Sequence, residues 1–403
     1  MTVVADLVVR SGELKRDLVE FGQRPRFAKA YRSALRGAGE GVVDDEGKLI
    51  NTLDSFVLQH RLADGLTVVD HFVTAHPGLP EQDRQMLLSW RDVVEGMFEV
   101  QRRDGNALLL LNLIDELTYR VHSNTGTAVF AQMPRRSFVI TRLVPVGQEW
   151  LFSGSQTVLP SSARREIARL AAELSLRCPA LVFRNPEKLE RGWELQRQAR
   201  ARFVEFFGAD LVVLPGAELA ERMRAYGQHC RRSCGARGAA PELELPPDLT
   251  ESPTVGLIYD EVEGLNFYAD FGLVAEAFAD PEVATRPLYR RKIQDYLRDD
   301  SVSPLPLRRL AEQDTAKASR LFQLVLRRPG FSWEADGETL LRRRKPAFFD
   351  RPALPGLTPA SEIVLEHHRS ATSDQRPPAR SRPFSRALAA RRSRVGKGAT
   401  GRV

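Results

Sequence analysis

The stretch from residue 93 to residue 160 constrains the fold most, because there the hydrophobic period changes from helical to alternating. Met97-Phe98-Glu99-Val100 runs into the turn Arg103-Asp104-Gly105-Asn106 and returns through 107–113, which reads as a hairpin. Residues 117–121 supply a third strand, and 138–145 and 149–154 a fourth and fifth around Val146-Gly147-Gln148. Short strands packed so closely in sequence must hide their edges, and closing into a barrel does this. The expectation over 91–160 is a small antiparallel β-barrel of the OB or SH3-like kind.

The rest of the chain is mostly of helical period. Leu49, Ile50, Leu53, Phe56, Val57 and His60 share one helix face, and Pro80-Glu81-Gln82-Asp83 looks like a helix start. Residues 1–90 are therefore expected to be a helical domain. A helical segment over 161–234 contains a start at Asn185-Pro186 and a short strand at 210–214. A Gly/Ala/Pro/Glu-rich linker at 235–253 leads to an α+β domain at 254–365, which opens with a hairpin of strands 255–260 and 265–269. The reading is α+β and multi-domain, with a tail at 366–403 that has no hydrophobic periodicity and is expected to be disordered.

Charge is unevenly spread along this plan. The net +7 comes from the tail: residues 369–403 hold ten Arg or Lys against one acid, so residues 1–368 carry −2. Within that body, 286–345 hold 15 basic residues against 8 acids, a net of +7. A high overall pI is thus poor support for nucleic-acid binding, and the 286–345 segment is the sharper place to look.

Three cysteines, an apolar run that ends by Ile114 and an opening without a basic, apolar leader point to a reducing cytoplasm and no membrane partner. The predominance of Arg over Lys, 51 to 8, is what a GC-rich bacterial genome produces. No phosphate loop, H-E-x-x-H, G-x-S-x-G or C-x-x-C is present, and Gly37-Ala38-Gly39-Glu40-Gly41 lacks the spacing and framing of a dinucleotide loop. No motif names a cofactor.

Three clusters remain. His229, Cys230 and Cys234 are soft or borderline metal ligands, but a structural zinc site needs four, so ordinary thiols at a helix end are the competing reading. Asp260, Glu261, Glu263 and Asp270 gather at the 255–270 hairpin. Converged, such carboxylates hold a divalent cation or act as an acid/base pair; splayed, they are a solvated turn. Arg327, Arg328, Arg342, Arg343, Arg344 and Lys345 lie near Phe331, Trp333, Phe348 and Phe349. Arginine forks beside aromatic faces can hold phosphates and stack bases. The alternative is a solvated helix face paired with Asp295, Asp299 and Asp300, over an aromatic core. The barrel's Arg102, Arg103, Arg120, Arg135 and Arg136 look balanced by Glu95, Glu99, Asp104, Asp115 and Glu116.

The expected function is a binding or regulatory protein that engages nucleic acid or another polyanion through the basic segment. A metal-dependent hydrolase centred on the hairpin carboxylates, or a scaffold for a protein partner, stands as the alternative.

Overall fold

The structure, a computed structural model, describes residues 3–37, 45–233, 235, 244–350, 352–359 and 361. The basic tail from 366 onward, Cys234, residues 38–44 and residues 236–243 of the linker lie outside the described residues. The described chain is a mixed α+β fold with two sheets.

The first sheet holds β1 (Val94–Asp104), β2 (Ala107–Asn112), β3 (Thr118–His122), β4 (Phe138–Val146) and β5 (Glu149–Leu159). β1 pairs with β2 and β4, β2 also with β3, and β5 with both β4 and β3, so the sheet closes on itself. Alternate side chains fill the interior, among them Val94, Phe98, Val100, Leu110, Val121, Leu143 and Phe152. Phe130 and Met133 join this core from the β3–β4 connection. One pair corrects the all-antiparallel expectation: β3 and β5 run parallel, with Val121 opposite Trp150. The cause is the path of the chain. β4 is laid beside β1, so β5, returning along β4, reaches β3 in the same direction.

Helices α1 (Val3–Gly22), α2 (Ala28–Gly37), α3 (Asp45–Leu58), α4 (Val68–Ala75) and α5 (Glu81–Ser89) precede this sheet. Their apolar faces do not form a core of their own. Leu14, Leu18, Phe21, Phe56, Val57, Leu87 and Trp90 pack in one cluster with Val144, Val146 and Leu151 of β4 and β5. The buried Trp90 indole also donates to the Pro145 carbonyl at 3.1 Å.

A charged network crosses the same junction. Arg142 of β4 donates to Asp54 of α3 at 2.8 Å, to Glu95 of β1 at 3.0 Å and to Gln59 at 2.7 Å. Lys15 of α1 and the Ser153 hydroxyl reach the other oxygen of Asp54, each at 2.6 Å. Arg142 and Asp54 are only 5% and 4% exposed. Burial alone would raise the Asp54 carboxyl, but the Lys15 and Arg142 charges outweigh it and hold the group below its ordinary value. Nearby, Gly154 takes a left-handed φ of 68° beside a register shift, and the Ser155 amide donates to Asn51 of α3 at 2.8 Å. A side chain at Gly154 would collide with that Asn51 oxygen.

Helices α6 (Arg164–Arg177), α7 (Pro179–Val182) and α8 (Pro186–Phe207) follow. Asn185 caps α8 as the sequence implied, accepting from the Glu187 amide at 3.0 Å with Pro186 in the first turn. Next come β6 (Leu211–Leu214), α9 (Gly216–Ser233), α10 (Pro247–Thr250), β7 (Val255–Asp260) and β8 (Gly264–Ala269). The second sheet has the order β6-β7-β8, so the 161–234 segment shares a sheet with the hairpin beyond the linker. Period two sorts β7 between two cores. Val255, Leu257 and Tyr259 pack with Phe203, Leu219 and Tyr226 of α8 and α9. Ile258 joins a second cluster with Phe271, Phe278, Tyr296, Phe322 and Phe331. That cluster is built by α11 (Phe271–Ala279), α12 (Pro287–Arg298), α13 (Leu305–Ala311), α14 (Thr315–Leu326) and α15 (Trp333–Arg344).

Candidate anion-binding interface

The arginine runs fall at two helix ends. α14 stops at Arg327, which caps it in the left-handed conformation at φ 54°, and Arg328 follows. Arg342, Arg343 and Arg344 form the last turn of α15, where cations also complement the negative end of the helix dipole. Arg328, Arg343 and Arg344 line one cavity of about 240 Å³ with Leu326, Phe331, Asp336, Thr339 and Leu340. Arg328 is held there by Asp336 at 3.3 Å. All of Arg327, Arg328, Arg342, Arg343 and Arg344 are exposed, and no partner among the described residues engages the guanidinium groups of Arg327, Arg343 or Arg344.

Two of the six residues have other tasks. Arg342 pairs with Glu338 at 2.9 Å and lies over the Phe349 ring at 4.5 Å. Arg308 flanks the same ring at 5.1 Å and reaches Glu338 at 2.7 Å. Lys345 is 1% exposed, and its ammonium donates to the Asp299 carbonyl rather than to solvent. Burial lowers its pKa, with Asp299 and Asp300 opposing. A lysine at the end of an arginine run looks exposed in sequence; only the packing of the Asp299 turn reveals otherwise.

The aromatics also divide. Phe331 and Trp333 pack around Phe322, with the Phe322–Trp333 rings stacked at 4.9 Å, so both belong to the core. Phe348 is 40% exposed. Elsewhere the segment's excess charge is matched by acids outside it: Lys292 by Asp270 at 2.6 Å, Arg309 by Asp210 at 2.7 Å and Arg320 by Glu282 at 2.7 Å. These pairs replace the expected Asp295, Asp299 and Asp300 partners, and sequence distance is what concealed them.

The hairpin carboxylates have separate environments. Asp260 braces its own turn, accepting from the Val262 and Glu263 amides at 2.8 and 3.0 Å. Glu261 is exposed and 3.7 Å from Arg200. Burial raises the Glu263 carboxyl, partly offset by the Ser303 hydroxyl and reinforced by Asp260. Asp270 lies at the far end of β8, at a left-handed φ of 56°, paired with Lys292 and bonded to Ser252. His229 is 3.7 Å from Glu205, and Cys230 stands beside the Tyr226 hydroxyl, which burial and then the thiol push upward. Among the described residues no group of three or more His, Cys, Asp or Glu side chains is placed to hold a metal ion. No described helix is long and apolar enough to cross a membrane.

No family model, curated protein or solved structure matches this chain. The functional reading therefore rests on the geometry of the site.

Proposed function

We propose that this protein binds a polyanion, nucleic acid first among them, through the arginine-lined cavity of α14 and α15. The observation that carries this reading is the sharing of one cavity by Arg328, Arg343 and Arg344, two of them without partners among the described residues. Guanidinium forks left free of carboxylates retain their donors for phosphate oxygens. Arg327, next to Arg328 in the chain, adds a further exposed guanidinium, Phe348 offers an exposed ring, and Lys345 does not take part. We read the closed sheet as an OB-kind barrel in a multi-domain chain: its non-sequential strand order and parallel β3–β5 pair fit a five-stranded Greek-key path. The basic tail adds a weak, salt-sensitive attraction of its own.

Fluorescence anisotropy with labelled single-stranded DNA across a salt series tests this. Binding is expected to survive deletion of residues 369–403. Arg343→Gln with Arg344→Gln is expected to reduce the slope of log affinity against log salt by about 1.4, at roughly 0.7 per lost contact. Loss of all affinity on tail deletion, or an unchanged slope in the double variant, refutes the reading.

A further inference from the structure

A second arginine cluster lies on the rim of the closed sheet, away from the basic segment in sequence. Arg135, Arg136 and Arg164 line a cavity of about 460 Å³ with Glu99, Val100, Gln101 and Ser161. The acids that balance this region in sequence are committed elsewhere in space. Glu95 pairs with Arg142, Asp104 and Glu149 with Arg120, and Glu116 with Lys188. Asp115 is buried with Asn112 and Tyr119. Glu99 faces the cavity, but Arg164 matches it at 3.1 Å. Arg135 and Arg136 are exposed and have no side-chain partner among the described residues, so the lining keeps an excess of two positive charges.

The backbone supports a positioned cluster. The β1–β2 register shifts between Val100 and Arg102, which sets Gln101 at an irregularity, and such bulges re-aim side chains at barrel rims. Arg136 sits opposite, its amide donating to the Val100 carbonyl at 2.8 Å. Its φ is 68°, a left-handed conformation that costs a non-glycine residue roughly 1–2 kcal/mol. Glycine or asparagine would make the same turn at lower cost, so the turn itself does not require an arginine.

We propose that the Arg135–Arg136–Arg164 cavity is a second anion site, which grips a backbone phosphate of single-stranded nucleic acid. This rests on the polyanion reading above and extends it to a second cavity with a lining of its own. No aromatic side chain lines the cavity, so it holds phosphate without reading a base.

The test uses the full-length protein, so that the tail contributes equally throughout. Arg135→Gln with Arg136→Asn removes both unpaired charges, and asparagine tolerates the left-handed backbone. Anisotropy with single-stranded DNA is expected to show several-fold weaker binding at 50 mM salt and a salt slope smaller by about 1.4. Circular dichroism melting should be no lower than that of the wild type, because both side chains are exposed and asparagine eases the left-handed turn. Unchanged affinity and slope overturn the proposal, even where Arg343→Gln/Arg344→Gln weakens binding and so upholds the α14–α15 site. The reverse pattern sustains this site and removes the other. Calorimetry with inorganic phosphate distinguishes the source: phosphate binding lost in Arg135→Gln/Arg136→Asn, with DNA affinity intact, assigns a small-anion site and overturns the nucleic-acid assignment.

Discussion

Replacing Arg142 with methionine tests the join between the helices and the closed sheet. Methionine keeps much of the apolar stem but removes three donors, of which only the bond to Asp54 is fully desolvated. Breaking a buried pair costs about 3–5 kcal/mol, chiefly because a charge is stranded. Asp54 retains Lys15 and Ser153, which puts the cost near the lower end, at about 3 kcal/mol. The half-exposed Glu95 contact adds at most about 1 kcal/mol. The pH dependence has a definite sign. In the native protein the Asp54 carboxyl is held below 3.8, so its contribution is present above that value and lost as pH falls through the folded pKa. In Arg142→Met the carboxyl titrates higher, so the deficit is full at neutral pH and narrows on acidification. Urea unfolding at several pH values, followed by circular dichroism, measures both. A loss under about 1 kcal/mol, or a deficit that grows toward acid, refutes the reasoning.

Two further outcomes follow from buried groups. Burial raises Glu263 above its ordinary 4.5, so its ionisation opposes folding as pH rises from there. Glu263→Gln should therefore gain stability at neutral pH relative to the native protein, with the gain vanishing below about pH 4.5; thermal melts across pH read it. Gly216→Ala should destabilise by at least about 2 kcal/mol in urea unfolding, because its β-carbon would collide with the Ser252 carbonyl and lie 2.5 Å from that of Leu249. Wild-type stability in that variant would show that α10 yields easily.

Local pattern carried much of the fold. The strand alternation over 93–160, the 255–269 hairpin and the Asn185-Pro186 helix start are all set by neighbouring residues, and the structure keeps them. What depends on distant partners was hidden. The partner of Arg142 in 138–145 is Asp54, far away in sequence, which strand alternation does not reveal. The parallel β3–β5 pair depends on where β4 docks, which alternation does not encode. At the candidate sites, residue type identified Arg328, Arg343 and Arg344, but which arginines stay unpaired required the positions of Asp210, Glu116 and Glu338. Arg135 and Arg136 look balanced in sequence because the commitments of Glu95, Asp104 and Glu116 show only in space.

The core shared by α1–α5 and β4–β5 also bears on how the chain opens. Trp90, Val144, Val146 and Leu151 belong to one cluster, and Arg142 spans the same boundary. Neither side keeps its protection once the other leaves, so amides of α3 and β4 should exchange hydrogen with the same opening free energy. The boundary that the change of hydrophobic period marks near residue 90 is then no place to cut. A fragment starting there would expose the apolar face of β4 and β5, and would leave Arg142 without Asp54.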